Sequence, residues 1–238
     1  MSQKTVNVEE NLYPPYDPEQ EQDTGAATAT GTELQKKNQA VERREMIMSV
    51  ACGGLCLALS FVLSKIEIFK MPQGGSVTPA SMLPIIFFCL CFGLKRGLCV
   101  AFGFSLLQLI GGTLVSFPQV MLDYIVAFTA IGLSGIFAAS YKKRIEVKNP
   151  LKRLKLIPFW RIGVAVFFCF VVRFISHLLA GVIFWADYAP EDQNVWVYSG
   201  LYNGTFLLVE AAITAVILIG VSIALGLLKV NISGSKKK

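Results

Sequence analysis

From residue 46 onward the chain is written in long apolar runs separated by short polar ones, the pattern of a protein whose main solvent is lipid. A bilayer core of about 30 Å asks for roughly 20 apolar residues per helix. Six runs predict such helices: Met46 to Ile66, Ser81 to Leu94, Leu98 to Phe117, Met121 to Tyr141, Ile162 to Trp185 and Leu201 to Val230. The second is the shortest: either it reaches back through Thr78 or it does not cross fully. The expectation is an all-α membrane protein with six transmembrane helices, organised as a tail over residues 1–45, a membrane domain over 46–230 and a basic tail over 231–238.

Charge changes the picture by giving it an orientation. The loop after the fourth run holds Lys142, Lys143, Arg144, Lys148, Lys152, Arg153, Lys155 and Arg161, whereas the loop after the fifth has only Asp187, Glu191 and Asp192. Lys36, Lys37, Arg43 and Arg44, the Lys95–Arg96 pair and the Lys236 to Lys238 tail fall on the same side as the first of these under an even count of spans. Basic loops stay inside, so both termini are expected to be cytoplasmic in a multi-pass protein of the plasma membrane. Trp160, Trp185 and Trp196 fall near interfaces, as belt residues do.

Composition agrees. The 238 residues are 54% hydrophobic and 16% charged, with a mean hydropathy of +0.56. The first 45 residues differ: Glu9, Glu10, Asp17, Glu19, Glu21 and Asp23 lie among Pro, Thr, Gly and Gln with little to bury, which predicts a disordered cytoplasmic tail without a cleavable signal. The formal charge of +6 comes from residues flanking helices on one membrane side, where anionic lipid and the insertion rule account for it, so nucleic acid is not an expected partner. All six cysteines (Cys52, Cys56, Cys89, Cys91, Cys99, Cys169) sit in apolar runs without CxxC spacing, and His177 is the only histidine. Neither disulfides nor a metal site is expected.

Ionisable groups inside apolar runs are costly and face the interior of a bundle. Here they are Asp123, Arg173, His177 and Glu210, joined by polar Gln108 and Asn203. His177, Gly181 and Trp185 recur at i, i+4 and i+8 and share one helix face. The glycine between an imidazole and an indole opens a slot for a flat ring, with Tyr188, Trp196, Tyr198, Tyr202 and Asn203 crowding the next loop and helix start. An aromatic wall with one carboxylate suits a cation. The same residues also suit belt anchors and a helix-to-helix hydrogen bond, and composition does not choose between these readings. Arg173 and Glu210, at depths of roughly 18 and 14 Å by helical rise, are expected to form a structural ion pair outside the substrate site. No Walker loop, HExxH or GxSxG occurs, and PQGGS is not a nucleotide motif. Enzymatic chemistry and cofactors are therefore not expected, although an intramembrane enzyme or a structural subunit stays open on composition alone.

The stretches PQGGSVTPASMLPI (Pro72 to Ile85), LKRG (Leu94 to Gly97), LDYIVAFTAIGLSGIF (Leu122 to Phe137), RFISHLLAGVIFWADYAP (Arg173 to Pro190) and YSGLYNGT (Tyr198 to Thr205) resemble the ThiT/YuaJ family, thiamine-specific S-components of energy-coupling factor (ECF) importers. The resemblance implies a six-helix subunit that binds thiamine from outside and is driven by a separate coupling transmembrane subunit with two ATPases. It also implies ligand contacts at Asp123, Tyr124, His177, Trp185, Tyr198 and Asn203, with Gln73 and Ser76 in a loop closing over the site. At the acidic position some members carry Glu, one methylene longer than Asp123. Gly54 and Ala58 match the small-residue spacing on the first helix where the coupling subunit docks. An S-component for another vitamin or a thiamine precursor is the nearest alternative.

Overall fold

The structure, a computed structural model, describes residues 18–72 and 75–227. The chain divides into two units, Met1–Glu45 and Met46–Lys238. The first helix, α1 (Pro18–Ser64), begins inside the segment whose composition predicted a tail without regular structure. The basic tail over 231–238 lies outside the described residues.

The remaining helices belong to the second unit: α2 (Leu83–Phe92), α3 (Leu94–Leu107), α4 (Phe117–Val120), α5 (Ala127–Thr129), α6 (Tyr141–Glu146), α7 (Pro150–Arg153), α8 (Phe159–Phe184) and α9 (Val195–Leu227). Strands β1 (Phe69–Lys70) and β2 (Ser76–Val77) pair antiparallel, Phe69 with Val77 and Lys70 with Ser76. Among the described residues four stretches are long and apolar enough to cross a membrane: Gln35–Ser64, Phe117–Phe137, Phe159–Phe184 and Val195–Leu227.

Helices α2 and α3 are shorter than the runs that predicted them, at 10 and 14 residues. The cause is local. Gly93 separates them at φ +87°, a left-handed conformation that glycine alone adopts freely, and α3 ends at Leu107, ahead of a loop with Gly111 at φ +80°. Every residue of α2 is apolar, and a helix apolar all round belongs inside protein. Pro84, Ile85, Ile86, Phe88, Cys89, Leu90, Cys91 and Phe92 are indeed buried. By contrast α8 and α9 keep apolar faces outward, with Phe167, Ile183, Leu208 and Val216 strongly exposed, and α1 does the same with Val50 and Leu55. Such faces suit lipid.

The fourth run is not one regular helix. It starts at Ser116, whose side chain accepts from the Gln119 backbone N–H at 3.4 Å, with Pro118 in the first turn, a normal helix entry. It then widens into a π-helix over Met121–Val126, returns to α for Ala127–Thr129 and tightens to a 3₁₀ helix over Ala130–Phe137. The tightening has a packing reason: Gly132 and Gly135 press against α3, and a Cβ at Gly135 would stand 2.7 Å from the Leu94 backbone.

At the C-terminal end of α2, Arg144 and Arg153 donate to the Cys91 carbonyl at 3.5 and 3.3 Å. Cations there satisfy the helix's last carbonyls and its dipole. The opposite end of α2 opens onto a cavity.

Candidate functional site

Residues from several elements of the second unit line one cavity of about 170 Å³. α1 and the turn after it supply Ser64, Lys65 and Glu67; the next loop supplies Gly75, Ser76, Thr78 and Ser81; α8 supplies Arg173, His177 and Gly181, with Trp185 at its end. Tyr198, Ser199, Tyr202, Asn203, Phe206 and Glu210 come from α9.

The π-turn carries Asp123 and Tyr124. Such turns widen the helix by one residue and recur at functional sites. The Asp123 carboxylate, 15% exposed, is met by three donors: Gln119 Nε2 at 2.8 Å and Trp185 Nε1 at 3.3 Å on Oδ2, and His177 Nδ1 at 3.0 Å on Oδ1. This fixes the His177 tautomer with the proton on Nδ1 and leaves Nε2, buried without a partner, as an acceptor. The imidazole stands edge-on to Phe128 and Phe206 at 6.4 and 6.0 Å.

One expectation about the neighbouring groups changes. Gly181 does not leave a slot for a ring: a Cβ there would run into the Ser199 hydroxyl and come within 3.3 Å of Asn203 Nδ2. Its role is to let α9 approach α8, which brings Asn203 to the site. The Asn203 amide nitrogen is in turn committed to the His177 and Ser199 carbonyls at 3.3 and 3.0 Å, so its carbonyl oxygen is what remains for the cavity. The Tyr124 hydroxyl accepts from the Thr113 N–H at 2.7 Å and lies 3.3 Å from the Thr113 carbonyl, which ties it to the loop after α3.

Arg173 and Glu210 form the expected ion pair at 3.1 Å, with only 4% and 3% of the side chains exposed. The guanidinium also lies 4.5 Å above the Phe128 ring. They are not remote from the site, however, because both line the cavity. Helical rise placed the two residues near enough to meet but did not show that the cavity reaches them.

The cavity thus gathers Asp123, Tyr124, His177, Trp185, Tyr198, Asn203 and Ser76, while Gln73 lies outside the described residues. Gly54 and Ala58 are elsewhere, on an exposed face of α1 with open space beside Gly54. Gln119 escaped the sequence reading, although its spacing of four from Asp123 was a usable signal. Phe206 and Thr78 escaped too, and only the packing of α9 against the β2 loop reveals them. Among the described residues no cluster could hold a metal ion, and all six cysteines are free.

Around the cavity Glu210 is ion-paired with Arg173 and Glu67 with Lys70, whereas Asp123 is met by Gln119, Trp185 and His177. A polar pocket with aromatic walls, set at one end of an apolar bundle, is the arrangement of a membrane protein that binds a small molecule. Residues 50–229 match the family model described as thiamine transporter protein (Thia_YuaJ), and the chain belongs to that family. It is 38% identical to the thiamine transporter ThiT of Bacillus subtilis (strain 168) over 151 residues, 63% of this chain and 76% of that one. To the ThiT of Lacticaseibacillus paracasei it is 33% identical over 141 residues, 57% of this chain and 68% of the relative. A solved structure of ThiT from Listeria monocytogenes superimposes with a TM-score of 0.61 at 23% identity, covering 76% of this chain and 97% of that one, a likeness of fold. The protein is a multi-pass protein of the plasma membrane in a transporter family.

Proposed function

We propose that this chain is the thiamine-binding S-component of an ECF importer, a non-enzymatic subunit that spans the membrane six times with both termini in the cytoplasm. The observation that carries the reading is the Asp123 carboxylate at the cavity wall, met by Gln119, Trp185 and His177 and by no Lys or Arg among the described residues. Thiamine joins a fixed-charge thiazolium to a flat aminopyrimidine. Asp123 balances the thiazolium charge, and Trp185 and His177 offer ring faces to it. His177 Nε2 and the Asn203 carbonyl accept from the pyrimidine amine, Tyr124 and Tyr198 line the walls, and Ser76 with Gln73 belongs to the loop over the site. An uncharged vitamin would leave Asp123 without a counter-charge.

Calorimetry of the purified chain against thiamine, riboflavin and biotin tests the reading. Heat with thiamine alone is expected, and riboflavin binding instead would move the assignment to another vitamin. Asp123→Asn should weaken thiamine binding by roughly ten- to a hundredfold, the worth of one charge-assisted contact, with little change in melting temperature. Equal affinity in the two proteins would remove Asp123 from the site.

Drive comes from a separate coupling subunit and two ATPases, docking on the face of α1 that carries Gly54 and Ala58. Both are exposed, and small residues allow close helix approach in lipid. Ala58→Trp is expected to keep thiamine binding and to abolish uptake by cells. Normal uptake would place docking on another surface.

A further inference from the structure

The segment from Gly75 to Ser81 walls the cavity, yet its own secondary structure holds it weakly. Its sheet contact is the two-residue ladder of β1 and β2. Beyond the ladder Pro79 confines Thr78 to extended backbone, and Ala80 sits at φ +61°, a left-handed conformation that alanine resists. Something outside the segment must keep it in this shape.

That restraint comes from α9. Glu210 Oε1 accepts from the Thr78 backbone N–H at 3.3 Å and from the Thr78 hydroxyl. Thr78 Oγ1 lies 2.7 Å from Ser81 Oγ; since a hydroxyl has one proton to give, Thr78 donates to Glu210 and accepts from Ser81. Gly75 comes so near Phe206 that a Cβ would stand 2.6 Å from the ring. The other Glu210 oxygen is bound by Arg173 on α8 at 3.1 Å. A purely structural counter-ion needs only that last contact, and this carboxylate divides itself between a helix and a loop.

We propose that Glu210 is a positioning residue for the substrate site. Through Thr78 it clamps the Gly75–Ser81 segment against α9, and so controls how fast a ligand enters and leaves the cavity. Arg173, bound to the other carboxylate oxygen, keeps the clamp aligned. The kinetic half of this inference rests on reading the cavity as the thiamine site; the clamp itself does not.

The test uses the full chain in detergent with Thr78→Val, which keeps the shape and removes the hydroxyl, and Thr78→Ser, which restores the hydroxyl. In the ligand-free protein, hydrogen exchange at residues 76–81 is expected to accelerate roughly tenfold in the Val variant, the effect of one lost hydrogen bond to a charged group. The Ser variant should match the parent. Thiamine release, followed by tryptophan fluorescence, should quicken by a similar factor in Thr78→Val alone. Exchange and release unchanged in Thr78→Val would overturn the clamp, as would acceleration spread evenly over α8 and α9, which marks general loosening. A parent that binds no thiamine would defeat the functional reading, while the exchange measurement would still decide the clamp.

Discussion

The two ends of the bundle handle polar groups in opposite ways. At the end where α2 stops, Arg144 and Arg153 are buried with their guanidinium groups on backbone carbonyls, and glycines let helices close up: Gly97 against Cys89, Gly132 and Gly135 against α3. At the cavity end the backbone becomes irregular, with a π-turn, two loops and a short hairpin, and beside their bonds to backbone the side chains are linked to one another, Gln119, His177 and Trp185 through Asp123 and Arg173 and Thr78 through Glu210. One end is fixed by backbone geometry and the other by a shared polar network. A network can exchange partners when a ligand arrives, whereas a backbone contact cannot without unpacking a helix.

Breaking the boundary between the two ends should cost most. Arg173→Met leaves Glu210 buried with Thr78 but without its cation, and losing one partner of a buried pair typically costs about 3–5 kcal/mol. The melting temperature in detergent should fall sharply, and Glu210→Gln should act in the same direction. The double variant should recover much of the loss because it strands no charge. Simple additivity of the two losses would mean that each residue is held by something other than its partner.

Next in size is the tight end. Gly135→Ala puts a methyl where the Leu94 backbone stands 2.7 Å away, and backbone cannot rotate aside. The expected loss is about 1–3 kcal/mol, read as a lower melting temperature with thiamine affinity unchanged in the protein that remains folded. An affinity change as large as the stability change would mean that the two ends are mechanically coupled. Gly54→Ala is the control, since a Cβ there meets nothing within 4 Å and the substitution should be nearly silent.

The same contrast explains what could be read from the chain. Apolar runs located the helices, because the length of an apolar stretch answers directly to lipid. The all-apolar composition of α2 marked its position and the Lys95–Arg96 pair the break after it, but hydropathy did not point to Gly93 as the residue that ends the helix, which conformation decides. In the site, the helical repeat of His177, Gly181 and Trp185 and the rarity of intramembrane charge picked out groups that do meet. What stayed hidden depends on where a loop lands: Arg173 with Glu210, 37 residues apart on two helices, was reachable by counting turns, whereas Thr78 with Glu210, 132 residues apart, was not, since no periodicity governs a loop. Gly181 was misjudged for a related reason. A missing side chain looks the same in sequence whether a ligand or a neighbouring helix fills the space.

The smallest effect belongs to Gln119, and it measures how much the polar network depends on any one member. Its amide gives one hydrogen bond to Asp123 at 2.8 Å and another to the Thr113 carbonyl at 3.2 Å, while its oxygen accepts from the Val115 N–H at 3.2 Å. Thr113 and Val115 are exposed, so water replaces what they lose in Gln119→Ala. Asp123 keeps His177 and Trp185. Each net hydrogen bond is worth about 0.5–1.5 kcal/mol, so thiamine affinity should fall by roughly two- to tenfold, with a melting temperature close to the parent's. Calorimetry and thermal unfolding on one preparation separate the two quantities. A loss as large as that expected for Asp123→Asn would mean that the carboxylate is aimed by Gln119 alone, and that the other two donors hold it only while the first is present.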